Sequence, residues 1–262
     1  MTLPDIRRIN QIAKAAGKAI LEIYEGEIQV STKEDLSPLT QADLASHRVI
    51  VTALKALTPE LPVLSEESTF VPWEERRNWR RYWLVDPLDG TREFVKRNGE
   101  FTVNVALVEE HRPVLGVVHA PALDRTWYGA RNEGAFRQEN DQPPQPIRAA
   151  SECASPVRVA GSRSHAGDSL QRFLQNLGEH ELLSMGSSMK LCLVAEGAAD
   201  VYPRLGPTSE WDTAAAQAVV EAAGGKVTDT EMRPLEYNRK ESLLNPHFLV
   251  FGDERVNWAD YL

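Results

Sequence analysis

The stretch Trp83-Leu84-Val85-Asp86-Pro87-Leu88-Asp89-Gly90-Thr91-Arg92-Glu93-Phe94 decides how the chain is read. Trp83, Leu84 and Val85 are apolar, with aromatic and β-branched members, and read as the end of a buried strand. Pro87 lacks an N–H and is predicted to stop the ladder. Gly90 permits a tight turn. Asp86 and Asp89 are therefore expected at a strand's carboxyl end, close together on a constrained loop. Two carboxylates held together repel unless a proton or a cation intervenes. Hard oxygen ligands of this kind suit Mg²⁺, which keeps several waters and is often shared with a substrate phosphate. If a helix starts at this point, the Gly90 and Thr91 N–H groups and the Thr91 hydroxyl can receive phosphate oxygens. The short form D-P-x-D-G is also compatible with an Asp-Pro turn followed by an Asp-Gly turn.

On the N-terminal side, Leu61-Pro62-Val63-Leu64-Ser65 reads as a short strand, followed by the acid pair Glu66-Glu67. Such a pair is either a solvated turn or a source of a further ligand. Ile6, Ile9, Ile12, Ala16, Ile20 and Ile23 recur at helical spacing, so residues 4–25 are predicted as an amphipathic helix that stops at Gly26. Residues 33–38 are polar and turn-rich, and Lys33 there reads as a surface charge. Thr40 followed by Asp43 resembles a helix start with an acid in its first turn, continued by Ala45, Val49, Ala53, Leu54 and Leu57. Residues 70–81, charged and rich in Trp and Arg, read as an exposed excursion before the central strand.

On the C-terminal side, the apolar, β-branched runs 101–108 and 114–120 flank a polar turn and predict a hairpin. Residues 126–130 and 134–136 add short strands. His111 and His119 fit turn and sheet positions. Residues 138–150, with Pro143, Pro144 and Pro146, read as a loop between two halves, and the domain boundary is placed there. The second half alternates: strands over 157–160, 181–185, 200–202, 226–228 and 248–251, helices over 170–177, 188–195 and 213–223. This alternation predicts an α/β layer, with ligands at the carboxyl ends of strands. Two strand-to-helix loops sit there, Gly161-Ser162-Arg163-Ser164-His165 and Gly186-Ser187-Ser188-Met189-Lys190, and each is also an ordinary helix cap. Asp212, in Glu210-Trp211-Asp212-Thr213-Ala214-Ala215, is either a ligand or an acid complementing a helix dipole.

The 262 residues suffice for two modest domains or one large one. No apolar run is long enough to span a bilayer, and the first residues lack the basic and apolar regions of a signal peptide. Cys153 and Cys192 are too few for a disulfide framework and fit small apolar packing, which suits a reducing cytoplasm. The net charge of −9 argues against polymeric nucleic acid. An acidic chain can still bind small phosphates where metals and a few local cations reverse the field.

W-L-V-D-P-L-D-G-T-R-E-F resembles the metal-binding signature of the inositol monophosphatase superfamily, which are Mg²⁺-dependent, lithium-sensitive phosphatases. W-D-T-A-A resembles the second signature of that family, S-E-E-S its ligand acid pair, and K-x-D-x-S-P-x-T-x-A-D over 33–43 the segment whose Asp partners the motif Thr. T-R-E-F, S-R-S-H, G-S-S-x-K and Y-P-R resemble the bisphosphate nucleotidase branch, of CysQ type. The resemblance implies an inositol monophosphatase-like layered sandwich, an α+β half (1–150) intimately packed on an α/β half (151–262). It implies that Glu66, Asp86, the Leu88 carbonyl, Asp89 and Asp212 hold two or three Mg²⁺ ions, and that Asp43, Thr91 and Glu66 form the catalytic set, with Asp43 and Thr91 aiming the attacking water. Substrate contacts fall to Glu66, Leu88, Asp89, Gly90, Thr91, His165, Ser187, Lys190, Arg204 and Asp212, and Lys33 resembles a mobile-loop Lys. The implied reaction cleaves the 3′-phosphate of adenosine 3′,5′-bisphosphate to give AMP, with 3′-phosphoadenylyl sulfate as a second substrate. An inositol or sugar phosphatase on the same scaffold is the alternative, and a non-catalytic metal- or nucleotide-binding protein is the reading from a different class. The expected partner is a small nucleotide bisphosphate, bound by a monomer or homodimer. The expected location is the cytoplasm, and some members of the family associate peripherally with the inner membrane.

Overall fold

Two sheets separate three helical layers. The computed structural model describes residues 2–26, 40–68, 70–161 and 167–262. The first sheet runs in chain order through β1 (Val63–Ser65), β2 (Arg81–Asp89), β3 (Thr102–Glu109), β4 (Arg112–Ala120), β5 (Arg125–Ala130), β6 (Gly134–Glu139) and β7 (Gln145–Ile147). Only β1 pairs in parallel; every later pairing is antiparallel, as short turns between sequential strands require.

Side chains alternate across a strand, and along β2 they part into two cores. Trp83 and Val85 join a cluster with Ile9, Ile20, Ile50 and Leu54, from α1 (Ile6–Tyr24) and α2 (Thr40–Leu57). Tyr82 and Leu84 face the other way, onto Met189, Leu191, Ala214 and Val219, from α6 (Met189–Ala195) and α7 (Glu210–Ala222). α7 lies close on β4 because residue 116 is glycine: a Cβ there would run into the Ala215 carbonyl. The far side of α6 and α7 is covered by the second sheet, ordered β11 (Lys226–Asp229), β12 (Phe248–Phe251), β10 (Val201–Arg204), β8 (Val157–Gly161), β9 (His180–Ser184). α5 (Asp168–Leu177) closes the outer face through Phe173. The layers thus run α, β, α, β, α.

The structure departs from the sequence reading in four places. Pro87 does not end β2: pairing breaks after Asp86↔Asn104 and resumes at Asp89↔Thr102, so the proline sits inside an irregularity of the ladder. Residues 138–150 are not loop throughout, because β7 pairs with β6 as an edge strand that tolerates Pro146. The excursion 70–81 is not wholly exposed: it forms α3 (Trp73–Arg76), Val71 and Trp79 pack on the central core, and Arg76 is buried. α7 starts at Glu210 rather than 213, because Ser209 and Asp212 form a capping box. Among the described residues, no helix is long and apolar enough to cross a membrane.

Candidate active site

The end of β2 is held by its own polar atoms. Asp86 is buried, and its Oδ1 accepts from the Leu88 N–H at 3.0 Å. The Pro87 carbonyl accepts from Ser46 Oγ at 2.8 Å, which ties the turn to α2. Gly90, in the left-handed region at φ 96°, then turns the chain into α4 (Thr91–Val95). Asp89 Oδ2 accepts from the Ser188 N–H at 2.5 Å. The Ser188 hydroxyl donates to Asn104 Oδ1 at 2.9 Å and lies 2.8 Å from Thr102 Oγ1, so β3 fixes the loop that fixes Asp89. Asp212 stands in the first turn of α7, where its Oδ2 accepts from the Ser209 N–H at 2.9 Å.

These elements bring one carboxylate oxygen each from Asp86, Asp89 and Asp212 within 4.8 Å of one another. Glu66 follows β1, which lies beside β2; its backbone N–H donates to the Val85 carbonyl at 3.1 Å, and its carboxyl is close enough to Asp86 for the two to perturb each other. The crowding is visible in every titration. Burial first, then the charges of Asp89, Glu66, Asp212 and Asp43, push Asp86 well above the usual carboxylate range. Burial and Asp89 raise Asp212 to about 7. Asp89 is raised by burial, with Lys190, the Ser188 N–H and Arg204 opposing. Glu66 stands exposed at the rim, and desolvation of its carboxyl among the other acids still raises it. An all-oxygen donor set that is costly to ionise on its own fits a hard divalent cation.

Asp43 lies in the first turn of α2, buried, with one carboxylate oxygen lacking any partner; burial and then Glu67 and Glu66 raise it to about 8. Thr91 is exposed at the start of α4, and among the described residues no hydrogen bond is seen between it and Asp43.

An open cleft lies beside the acids, with walls that include Asp89, Gly90, Ser187, Lys190, Arg204 and Asp212. Lys190 is buried rather than extended into the cleft: its Nζ donates to the carbonyls of Ser187 at 2.6 Å and Met185 at 3.2 Å, and burial lowers it to about 8. Arg204 donates from Nη2 to the Pro207 carbonyl at 2.7 Å, while its buried Nε has no partner. Ser187 sits at φ 45° with its hydroxyl buried and unpartnered. Lys33 and His165 lie outside the described residues. Sequence reasoning did not single out Tyr202, Thr208 or Glu93, which also line the cleft. Thr208 could have been found from its place in the Pro207-Thr208-Ser209 run before the Trp211-Asp212 pair; Tyr202 and Glu93 stand inside the Y-P-R and T-R-E-F motifs, but no role at the site was assigned to either.

The description of the family model that matches residues 5–254 is the inositol monophosphatase family. The chain belongs to the inositol monophosphatase family. Within it, the chain is similar to the 3′(2′),5′-bisphosphate nucleotidase CysQ of Salmonella typhimurium, 51% identical over 247 residues, covering 94% of this chain and 98% of that protein. The nucleotidase CysQ of Haemophilus influenzae is 39% identical over 254 residues, covering 97% and 94%. The crystal structure of CysQ from Bacteroides thetaiotaomicron superposes with a TM-score of 0.83 at 40% identity, covering 95% of this chain and 97% of that one. The two stretches that resemble the family's signatures thus meet in space: Asp89 and Asp212 both line the cleft, and Asp86 offers a carboxylate oxygen within 4.8 Å of theirs.

Proposed function

We propose that this member of the family is a Mg²⁺-dependent phosphatase that removes the 3′-phosphate of adenosine 3′,5′-bisphosphate to give AMP and phosphate, with 3′-phosphoadenylyl sulfate as a second substrate. The observation that supports the reading most is the convergence of Asp86, Asp89 and Asp212 within 4.8 Å at the edge of a cleft that also holds Arg204 and Ser187. The names of the relatives, nucleotidases at up to 51% identity, agree with it.

Asp86, Asp89, Asp212, Glu66 and the Leu88 carbonyl are the groups assigned to hold the metal. Bound Mg²⁺ supplies charge neutralisation and a lowered pKa for water. Asp43 Oδ1 is buried and without a partner; its carboxyl, raised by burial and by Glu67 and Glu66, would accept the attacking water's proton in its ionised form, which cation charge in the acid cluster would favour, and the exposed Thr91 hydroxyl supplies a second oxygen to orient that water. The water oxygen adds to phosphorus as the bond from phosphorus to the 3′-oxygen breaks; the proton the water gives up passes by way of Asp43 and solvent, and the leaving 3′-oxygen takes one up from solvent, so that one water is consumed for each phosphate released. Ser187 and Arg204 meet the remaining phosphate, with the unpartnered Arg204 Nε as a donor in waiting.

Phosphate release from adenosine 3′,5′-bisphosphate and from inositol 1-phosphate, each with Mg²⁺ and with excess chelator, tests the reading. Preferential release from the nucleotide, abolished by chelator, is the expected result. Preference for the inositol ester would move the chain to the other branch of its family, and release from neither would leave a binding protein.

A further inference from the structure

Arg76 is 3% exposed although it belongs to a charged excursion between β1 and β2. Its guanidinium lies 4.9 Å over the Trp73 ring. From there Nη1 donates to Asn238 Oδ1 at 2.7 Å and to the Lys240 carbonyl at 3.3 Å, and Nη2 donates to the Glu241 carbonyl. Asn238 returns the contact, donating from Nδ2 to the Arg76 carbonyl at 2.6 Å. One arginine of the first half therefore grips residues 238–241, which lie between β11 and β12 of the second sheet.

That segment in turn grips the start of α7 from both sides of Asp212. The Asn238 N–H donates to Glu210 Oε2 at 2.9 Å, and the Glu210 N–H donates to the Leu243 carbonyl at 2.8 Å. Asn245 donates from its N–H to the Thr208 carbonyl at 2.9 Å, and from Nδ2 to the Ser209 carbonyl at 2.8 Å and Thr213 Oγ1 at 3.0 Å. Thr208, Ser209, Glu210 and Thr213 are thus all tied to 238–245, and Asp212 is carried on the same turn. Asn238 is fully buried at φ 52°, a left-handed conformation that needs its surroundings to hold it.

We propose that Arg76 is a positioning residue for Asp212, acting through Asn238 and Glu210, and that it couples the excursion before β2 to the metal affinity of the cleft. The proposal rests on the metal reading of Asp212 given above. Arginine suits the task because one planar fork reaches an amide oxygen and two carbonyls at once; a lysine at the same place keeps the charge and loses the fork. Partners that orient a metal ligand without touching the ion set its affinity, and losing one weakens binding about 10- to 100-fold.

The test is Mn²⁺ binding to the whole protein, followed by the electron paramagnetic resonance signal of the free ion. Arg76→Lys is expected to weaken Mn²⁺ by about 10- to 100-fold and to move the Mg²⁺ dependence of phosphate release by the same factor. Arg158→Lys serves as the comparison. It breaks a similar fork, from Arg158 in β8 onto Asp200 just before β10 at 2.6 and 3.2 Å, and is expected to lose stability while leaving Mn²⁺ affinity unchanged. A folded Arg76→Lys protein with wild-type Mn²⁺ affinity would overturn the proposal, as would an equal loss in both variants. Should Arg76→Lys fail to fold, hydrogen exchange of the wild type decides. Coupling is reciprocal, so saturating Mg²⁺ must slow exchange at the Asn238 and Asn245 amides more than at those of α5, and no such slowing would also overturn it. If the wild type binds no Mn²⁺, the metal reading itself falls, a result distinct from the failure of Arg76 alone.

Discussion

The Ser188 N–H donates to Asp89 Oδ2 at 2.5 Å, across 99 positions of sequence. The donor opens a helix of the second half, and the acceptor ends a strand of the first. A backbone N–H cannot be mutated away and rotates only with its loop, so Asp89 is aimed by a rigid group. The loop's own geometry is held by Lys190, whose ammonium bonds the Met185 and Ser187 carbonyls, and by Ser188 Oγ on Asn104. The anion received by this strand-to-helix loop is therefore, in the structure, a carboxylate of the protein.

Asp89→Asn is expected to abolish turnover without unfolding the chain. The amide oxygen still accepts from Ser188, so the loop contact survives, while one negative charge of the cluster is lost. The rate of phosphate release at saturating Mg²⁺ should drop by more than about 100-fold, the upper end of what a mere orienting partner costs, with an unchanged far-ultraviolet circular dichroism spectrum. A drop smaller than tenfold would put Asp89 outside the ligand set.

Gly186→Ala tests the loop itself. An added Cβ would lie 2.7 Å from the Glu100 carbonyl oxygen and 2.8 Å from Glu93 Cγ. The backbone oxygen cannot step aside, so the loop must move and carry the Ser188 N–H away from Asp89. A misplacement of about 1 Å costs on the order of 10²-fold in rate, and a fall of about that size in kcat is expected, with the thermal midpoint only slightly lowered. Wild-type kcat in this variant would show that the loop does not aim the carboxylate.

Much of this was legible in the sequence because it is local. Asp86, Leu88, Asp89 and Gly90 belong to one turn, whose chemistry follows from neighbours in the chain. Asp212 reads as lying near a helix start, but the capping box with Ser209 that begins α7 three residues earlier goes unread. What escaped was whatever depended on distant partners. Arg76 looks solvent-bound in a charged run, and its burial depends on Asn238 Oδ1 and the carbonyls of residues 240 and 241, more than 160 positions away. Lys190 looks like a free cation, yet its hydrogen bonds go to two carbonyls three and five positions back. The proline at 146 hid β7, because edge strands accept what central ones refuse.

His119 makes stability depend on pH well away from the cleft. It is buried against α1, its Nδ1 is 2.9 Å from Thr126 Oγ1, and burial, with Lys14 adding to it, lowers its pKa from 6.5 to about 4. The unfolded chain takes up this proton at a higher pH than the folded one. The contribution is therefore full above pH 6.5 and is lost as pH falls from there towards 4, amounting to about 3 kcal/mol in all. Urea midpoints measured between pH 4 and 7 should fall less steeply in His119→Gln than in the wild type. Parallel profiles would assign the acid sensitivity to other groups.

Arg204→Ala should separate recognition from chemistry. Arg204 ends β10 and lines the cleft, with one guanidinium nitrogen on the Pro207 carbonyl and a buried Nε without a partner. The carboxylate cluster accounts for cleaving one phosphate and offers nothing to a second one. A remote phosphate of a bisphosphate nucleotide needs a fixed cation, and Arg204 is positioned by its carbonyl contact to present one. A hydrogen bond to a charged group contributes about 1.5–3 kcal/mol, so kcat/KM for adenosine 3′,5′-bisphosphate should fall by about 10- to 150-fold. A substrate carrying only the scissile phosphate never uses the contact and should be turned over at nearly the wild-type rate. Both substrates are to be assayed at matched Mg²⁺ and ionic strength, because surface charge effects change with salt. Equal losses on the two would mean that Arg204 supports the cleft wall or the acids rather than the second phosphate, and the preference for a bisphosphate would then need another cation.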